Sequence, residues 1–382
     1  MTERLYDNGL LLEFEARVVS CREKDGEYLI ELDRTAFAPE GGGQPSDIGE
    51  IDGVCVCGVT SEGENIYHIC GAPLEVGKSV FCRVDEKRRI RHVQNHTGEH
   101  IVSGIIYNKY GYSNVGFHLG SEDVTMDVDG DIDREALREI EYLANKAVAA
   151  NLKVNVVYPK GKELEETFYR SKLDLKENVR VVTVDGLDAC ACCAPHVNYT
   201  GEIGMIKLIF AIRYKGGTRI HLKCGFDALD EFNAEYDRAL AISNMISLPR
   251  ENIAEGVKKL MDDISAYRRE IYELKKKIVA LKAESLVPKN GKAILIDEGM
   301  EMSDLRSIVA SKLDACEIMC AAFSGNDTDG YTYVIGYKGD DFNEFIKNTV
   351  SMLGKGGGGG RAPFAQGKVK CKKSDIERIM VD

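Results

Sequence analysis

The chain has 382 residues, with 50 Lys and Arg against 62 Asp and Glu for a formal net charge of −12, and it is 44% hydrophobic and 29% charged. Disordered and collagen-like chains are excluded by that balance, and the length allows about two to three domains, each with its own core. The acidity argues against indiscriminate nucleic-acid binding while leaving room for a local basic patch.

No window approaches 18 uninterrupted apolar residues and Met1 to Leu11 lacks a signal layout, so neither a membrane span nor secretion is expected and a cytoplasmic protein fits. Twelve cysteines in such a chain point to reduced thiols, and Cys21, Cys55, Cys57, Cys70, Cys82 and Cys224 are expected as small apolar core residues. Residues 1–88 show short alternating stretches, such as Tyr28, Ile30, Leu32 and then Val54, Val56, as half-buried strands would. Among them lies the loop Ala38-Pro39-Glu40-Gly41-Gly42-Gly43-Gln44-Pro45.

Residues 89–225 change to a mixed α+β pattern. Helices are expected from His92 to Tyr110 and from Asp133 to Asn151, with strands at Val154 to Tyr158, Val179 to Val184 and Gly204 to Ala211. Over 226–285 the apolar positions Ile253, Val257, Leu260, Ile264, Tyr267, Ile271, Leu274, Ile278 and Leu281 alternate spacings of 4 and 3, a heptad seam. It could bury its stripe against the preceding helix (Leu229, Phe232, Tyr236, Leu240) or against a second copy of the chain, giving a homodimer.

Residues 286–382 read as a further α/β domain. Strand Lys292 to Ile296, helix Ser303 to Leu313, strands Glu317 to Phe323 and Tyr331 to Tyr337, helix Asp341 to Leu353 and a last helix from Asp375 are expected. Before the last helix comes a loop-like glycine run between Lys355 and Arg361; from Ser351 to Lys373 there are six basic residues and no acid. Lys355, Arg361, Lys368 and Lys370 are therefore the candidate contacts to a phosphate backbone, with Lys87, Arg88, Arg89 and Arg91 as a second, weaker set.

The sharpest chemistry is His96-Thr97-Gly98-Glu99-His100, where two imidazoles one helical turn apart on the same face can share a metal. Cys192-Cys193-Ala194-Pro195-His196 brings a thiol and a third imidazole together in a loop that Pro195 keeps from being a regular helix. His96, His100, Cys192 and His196 form a set suited to Zn²⁺, with Cys193 or Cys190 as alternative thiolates. Glu99 falls on another helical face and reads as a surface carboxylate or one placed behind the ligands.

His-x3-His, Cys-x3-His-Val-x2-Thr-Gly-Glu-Ile-Gly (Cys192 to Gly204), Phe-Ala-Pro-Glu-Gly-Gly-Gly-Gln-Pro (Phe37 to Pro45) and the glycine run together resemble the AlaX-type alanyl-tRNA editing proteins, in their long form. The resemblance covers nearly the whole chain. It implies an α+β multidomain protein: a β-barrel-like domain over 1–88, a metal-binding editing domain of the threonyl/alanyl-tRNA synthetase type over 89–225, a helical coiled-coil segment over 226–285 and a C-terminal DHHA-type α/β domain over 286–382 that binds tRNA or dimerises. The implied activity is hydrolysis of tRNA(Ala) mischarged with serine or glycine. Thr35 and Gln44 are nominated as catalytic-pocket residues because a hydroxyl and an amide can hydrogen-bond a serine side chain that alanine lacks, with turn bonding as the alternative, and His118 because it follows the metal helix as the family's substrate-side loop does.

One departure bears on substrate: this chain has Cys-Cys-Ala-Pro-His where the alanyl proteins usually read Cys-Gly-Gly-Thr-His, and proline before the histidine is similar to the threonyl editing domain. A threonyl-type editor acting on Ser-tRNA(Thr) is thus the alternative enzyme. A non-catalytic tRNA-binding module stapled by zinc is the alternative of another class, because four protein ligands leave a tetrahedral metal no open position.

Overall fold

In a computed structural model the described residues are 2–121, 123–171 and 179–381. They divide into two compact units, Met1–Ala241 and Ile242–Asp382. The first unit begins with strands β1 (Glu3–Arg4), β2 (Glu13–Lys24), β3 (Glu27–Leu32), β4 (Arg34–Thr35), β5 (Gly49–Ile51), β6 (Val54–Glu62), β7 (Asn65–Cys70) and β8 (Ser79–Val84). Six of these close a barrel in the order β2-β3-β7-β6-β5-β8. Alternation drives the closure: in β2, Phe14, Ala16 and Val18 are buried while Glu13, Glu15 and Arg17 face solvent. Ile30, Leu32, Phe37, Ile51 and Val56 complete the barrel core.

The same alternation corrects two cysteines. In β6, Val56 takes the inner face, so Cys55 and Cys57 lie outside, exposed, with sulfurs 3.8 Å apart. Cys70, Cys82 and Cys224 are buried as expected and Cys21 is half-buried.

Helix α1 (Glu86–Tyr110) follows the barrel directly and starts a turn and a half before His92, because the Asp85 side chain accepts a 2.7 Å hydrogen bond from the Arg88 amide and caps it. Then come β9 (Asn114–Leu119), β10 (Val124–Val128), α2 (Arg134–Ala149), β11 (Val154–Val157), α3 (Lys162–Glu166), β12 (Val181–Val184), β13 (Asp188–Ala191), β14 (Ile206–Tyr214) and β15 (Gly217–Cys224). A four-stranded sheet runs β14-β15-β10-β9 and a three-stranded one β11-β12-β13. Both pack on α1, which is buried from His92 to Ile106. Arg89 is fully buried, ion-paired with Asp47 and donating to Gly9 O at 3.1 Å, and Arg91 lies 2.8 Å from Asp227. These two arginines tie α1 into the fold and are not free for phosphates, a correction to the weaker basic set.

Helix α4 (Phe226–Ile246) leads into the second unit, which holds α5 (Ile253–Ser285), β16 (Lys292–Asp297), α6 (Met302–Lys312), β17 (Met319–Asn326), β18 (Gly330–Tyr337), α7 (Phe342–Leu353), β19 (Lys355–Arg361), β20 (Phe364–Lys370) and α8 (Lys373–Val381). On α5 the heptad positions from Val257 to Leu281 stand 39% to 64% exposed. The sheet order is β16-β17-β18-β20-β19, with apolar cores on both faces.

The glycine run, expected as a loop, is instead the edge strand β19, held by antiparallel pairing to β20. Glycine serves close approach here: a Cβ at 356, 358 or 360 would sit 2.1 to 2.5 Å from neighbouring backbone or the Tyr333 hydroxyl, whereas at 357 and 359 it would meet nothing within 4 Å. The face carrying 357 and 359 is therefore bare. Register and pleat place Lys355, Arg361, Lys368 and Lys370 on that same face.

Gly98 lets α1 sit on β15, since a Cβ there would lie 2.2 Å from the Cys224 sulfur. Alanine is the better helix former by about 1 kcal/mol, but overpacking costs about 1–3 kcal/mol. Gly98→Ala should therefore lower the unfolding midpoint, and adding Cys224→Ala should restore part of it; a stabilised single variant would refute this packing.

Candidate metal centre

Helix α1 carries His96 and His100 on one face, and the loop after β13 carries Cys192 and His196. Their ligand atoms all lie within 4.8 Å of one another, and all four residues are buried. Cys192 Sγ is 3.5 Å from His96 Nε2 and 3.4 Å from His196 Nε2.

Behind each imidazole stands a partner that turns it inward. Gln44 Oε1 lies 2.8 Å from His96 Nδ1; since the amide oxygen can only accept, Nδ1 carries the proton and Nε2 faces the centre with a lone pair. Thr97 Oγ1 contacts His196 Nδ1 at 3.1 Å, and Asp188 Oδ2 lies 3.3 Å from His100 Nδ1 as an ion-pair contact outside hydrogen-bond geometry. Asp188 is itself gripped by Arg170 through two bonds of 2.7 and 2.8 Å, and Arg170 also donates to the Ser103 hydroxyl at 3.1 Å.

The loop bearing the thiol is shaped by Arg180. Its Nη1 donates to Cys192 O at 2.8 Å and Ala194 O at 2.9 Å, while its Nε bonds Asp7 at 2.8 Å. The Pro-Glu-Gly-Gly-Gly-Gln loop reaches the centre from the barrel. Gly43 has φ +81° and approaches so closely that a Cβ would sit 2.2 Å from Phe117 O; its carbonyl accepts from the Leu119 amide at 2.9 Å.

Burial opposes ionisation of the Cys192 thiol, yet the imidazoles of His96 and His196 and hydrogen bonds from His100 and His196 hold it well below the ordinary thiol range. Burial pushes His196 down to about 3. Burial opposes protonation of His100 as well, but its contacts with Asp188 and Cys192 hold it well above the ordinary imidazole range, so the thiolate and His196 are ready for a metal while His100 would give up its proton on binding. The donor set and the rear partners therefore fit a metal ion.

A cavity of about 600 Å³ opens from this cluster. Its wall includes Gly42, Phe117, Asn114, Tyr107, Phe168 and Arg180. Phe117 packs against His96 with ring centroids 4.8 Å apart. Cys190 and Cys193 line the cavity but stand outside the four-ligand cluster.

The structure brings Gln44 to the centre and places two other nominated residues elsewhere. Thr35 is fully buried, its hydroxyl 2.8 Å from His68 Nε2 and accepting from the Phe37 amide. His118 is exposed on β9, one residue along from Phe117 and so on the opposite face of the strand. Neither lines the cavity. Glu99, expected at the surface or behind the ligands, is 4% exposed and lines the cavity, because α1 is covered on every side. Sequence reasoning missed Asp188, Arg170 and Arg180, whose contacts join segments with no shared spacing signal.

A family profile described as the threonyl and alanyl tRNA synthetase second additional domain matches residues 179–221, the stretch that carries Cys192 and His196. The alanyl-tRNA editing protein AlaX-L of Pyrococcus horikoshii is 29% identical over 406 residues, covering 100% of this chain and 98% of that protein. The alanine–tRNA ligases of Pyrococcus abyssi and Methanococcus vannielii are 32% and 30% identical, each over 98% of this chain. The chain spans 42% and 43% of those ligases' lengths.

Asp188→Asn should weaken metal affinity about 10- to 100-fold. Chelator competition on the folded protein measures it, with the melting midpoint as control. An unchanged affinity would mean that the carboxylate does not orient His100.

Proposed function

The chain resembles the AlaX-type alanyl-tRNA editing proteins along its whole length, and on that premise we propose that it is a trans-editing hydrolase that removes serine or glycine from mischarged tRNA(Ala) by Zn²⁺-dependent ester hydrolysis. One observation carries the reading: three imidazoles and a thiol are buried together, and two of those imidazoles, His96 and His100, and the Cys192 thiol stand at the wall of a cavity large enough for an aminoacylated nucleoside.

His96, His100, Cys192 and His196 would hold the zinc, which with one of these ligands loosened or its coordination expanded would supply polarisation of the ester carbonyl or a lowered pKa for water. An aminoacyl ester is already activated, so the protein's part is to seat it and exclude all but small side chains. Gln44, Thr97 and Asp188 fix the imidazoles. Ser113, in the cavity wall, offers a hydroxyl to the serine hydroxyl that alanine lacks. A site built that way discriminates better than apolar fit. Arg4, Tyr107 and Phe168 at the same cavity suit the phosphate and base of a tRNA end. Farther along the chain, the bare face of β19 and β20, with Lys355, Arg361, Lys368 and Lys370, suits a sugar–phosphate backbone.

Pro195 before His196 supports the second reading, a threonyl-type editor. Relative rates on Ser-tRNA(Thr) and Ser-tRNA(Ala) decide between them.

His96→Ala should leave a folded protein that still binds tRNA but loses deacylation of Ser-tRNA(Ala) by about 100-fold or more, as for loss of a metal's contribution of several kcal/mol. Wholesale unfolding of this variant would instead support the zinc-staple alternative. Replacing Lys368 and Lys370 by Gln should weaken binding of uncharged tRNA and reduce its log–log salt slope by roughly one per lysine; an unaltered slope would remove this face from the tRNA path.

A further inference from the structure

Glu99 sits between the two metal-facing histidines of α1, yet its ligand atoms are not part of the four-residue cluster. It is 4% exposed and is the one carboxylate among the described residues that line the cavity; Arg4, Arg170 and Arg180 line the same wall. One oxygen, Oε1, accepts from Asn114 Nδ2. Among the described residues Glu99 has no ion pair: Arg170 spends two of its nitrogens on Asp188 and a third on Ser103, and Arg180 is turned to Asp7 and to the Cys192 and Ala194 carbonyls. A carboxylate removed from water without a cationic partner is costly, and such groups are ordinarily paired or bound to metal. Among the described residues its one hydrogen-bond partner is a neutral amide, and Arg170, which feels the Glu99 charge, forms no ion pair with it.

We propose that Glu99, backed by Asn114, is the subsite for the α-ammonium group of the aminoacyl ester. The proposal rests on the aminoacyl-ester reading of the cavity and adds to it a direction: the ammonium end of the substrate lies against α1 at Glu99, beside the metal ligands, and the nucleic-acid end extends towards Tyr107 and Phe168. It also assigns Glu99 a task in binding rather than in metal ligation. A cation held by a buried carboxylate forms a charge-assisted hydrogen bond, whereas a neutral hydroxyl in the same place forms an ordinary one.

The test compares two substrates on two proteins: Ser-tRNA(Ala) and the same tRNA carrying the α-hydroxy isostere, in which the amine is replaced by a hydroxyl, each given to the unaltered enzyme and to Glu99→Gln. The unaltered enzyme should prefer the amine-bearing ester in kcat/KM by about 10- to 150-fold, and in Glu99→Gln that ratio should collapse towards 1. Glu99→Asp should recover part of it. Zinc content and the melting midpoint report whether the variants keep the site. Equal losses on both esters, or no preference in the unaltered enzyme, would overturn the ammonium subsite while leaving the editing reading in place. Failure of the unaltered, zinc-loaded protein to hydrolyse either ester would sink the editing reading itself.

Discussion

Three imidazoles and one thiol lie buried at the inner end of a cavity, and each imidazole has a polar group behind it. These groups come from different parts of the first unit: Gln44 from a barrel loop, Thr97 from α1 itself and Asp188 from β13. Such a cluster is expensive to bury, because an ionised thiol and three imidazoles must all be taken out of water, and burial opposes the charged forms of Cys192, His100 and His196. A divalent cation offsets that cost. The rest of the architecture can be understood as what it takes to bring these segments together.

The barrel and the mixed α/β layer are bound to the site by buried polar contacts as well as by apolar packing. Arg89 couples α1 to Asp47 beneath the glycine-rich loop, and Arg180 couples the cysteine loop to Asp7 near the start of the chain. Buried arginines of this kind add little net stability when paired, yet removing one partner leaves a strongly unfavourable charge. They fix the register of loops that apolar contacts alone would leave free to slide.

Much of the architecture was legible because it depends on local periodicity. The helices α1, α2, α6 and α7 and strands β11, β16 and β18 lie where the apolar spacing places them, within a few residues, and the two metal-ligand pairs are readable because each is a local spacing of four. The glycine run was unreadable as a strand, since glycine has no strand propensity and only pairing with β20 holds it there. Glu99 is half legible: the helical wheel sets it off the ligand face, but of its two readings, surface or behind the ligands, the burial of α1 from His92 to Ile106 removes the first. The partners Asp188, Arg170 and Arg180 depend on contacts between segments whose proximity is a property of the folded chain. Thr35, nominated for its hydroxyl, and His118, nominated by resemblance, are placed by barrel packing and strand pleat away from the cavity wall.

The central claim, that these four side chains clasp one zinc ion, is tested most directly by X-ray absorption at the zinc edge on the purified protein. The account predicts one zinc per chain, with nitrogen scatterers at about 2.0–2.1 Å and a single sulfur at about 2.3 Å. A protein that retains no metal under zinc-replete conditions, or whose metal shows no sulfur in its coordination sphere, would contradict it.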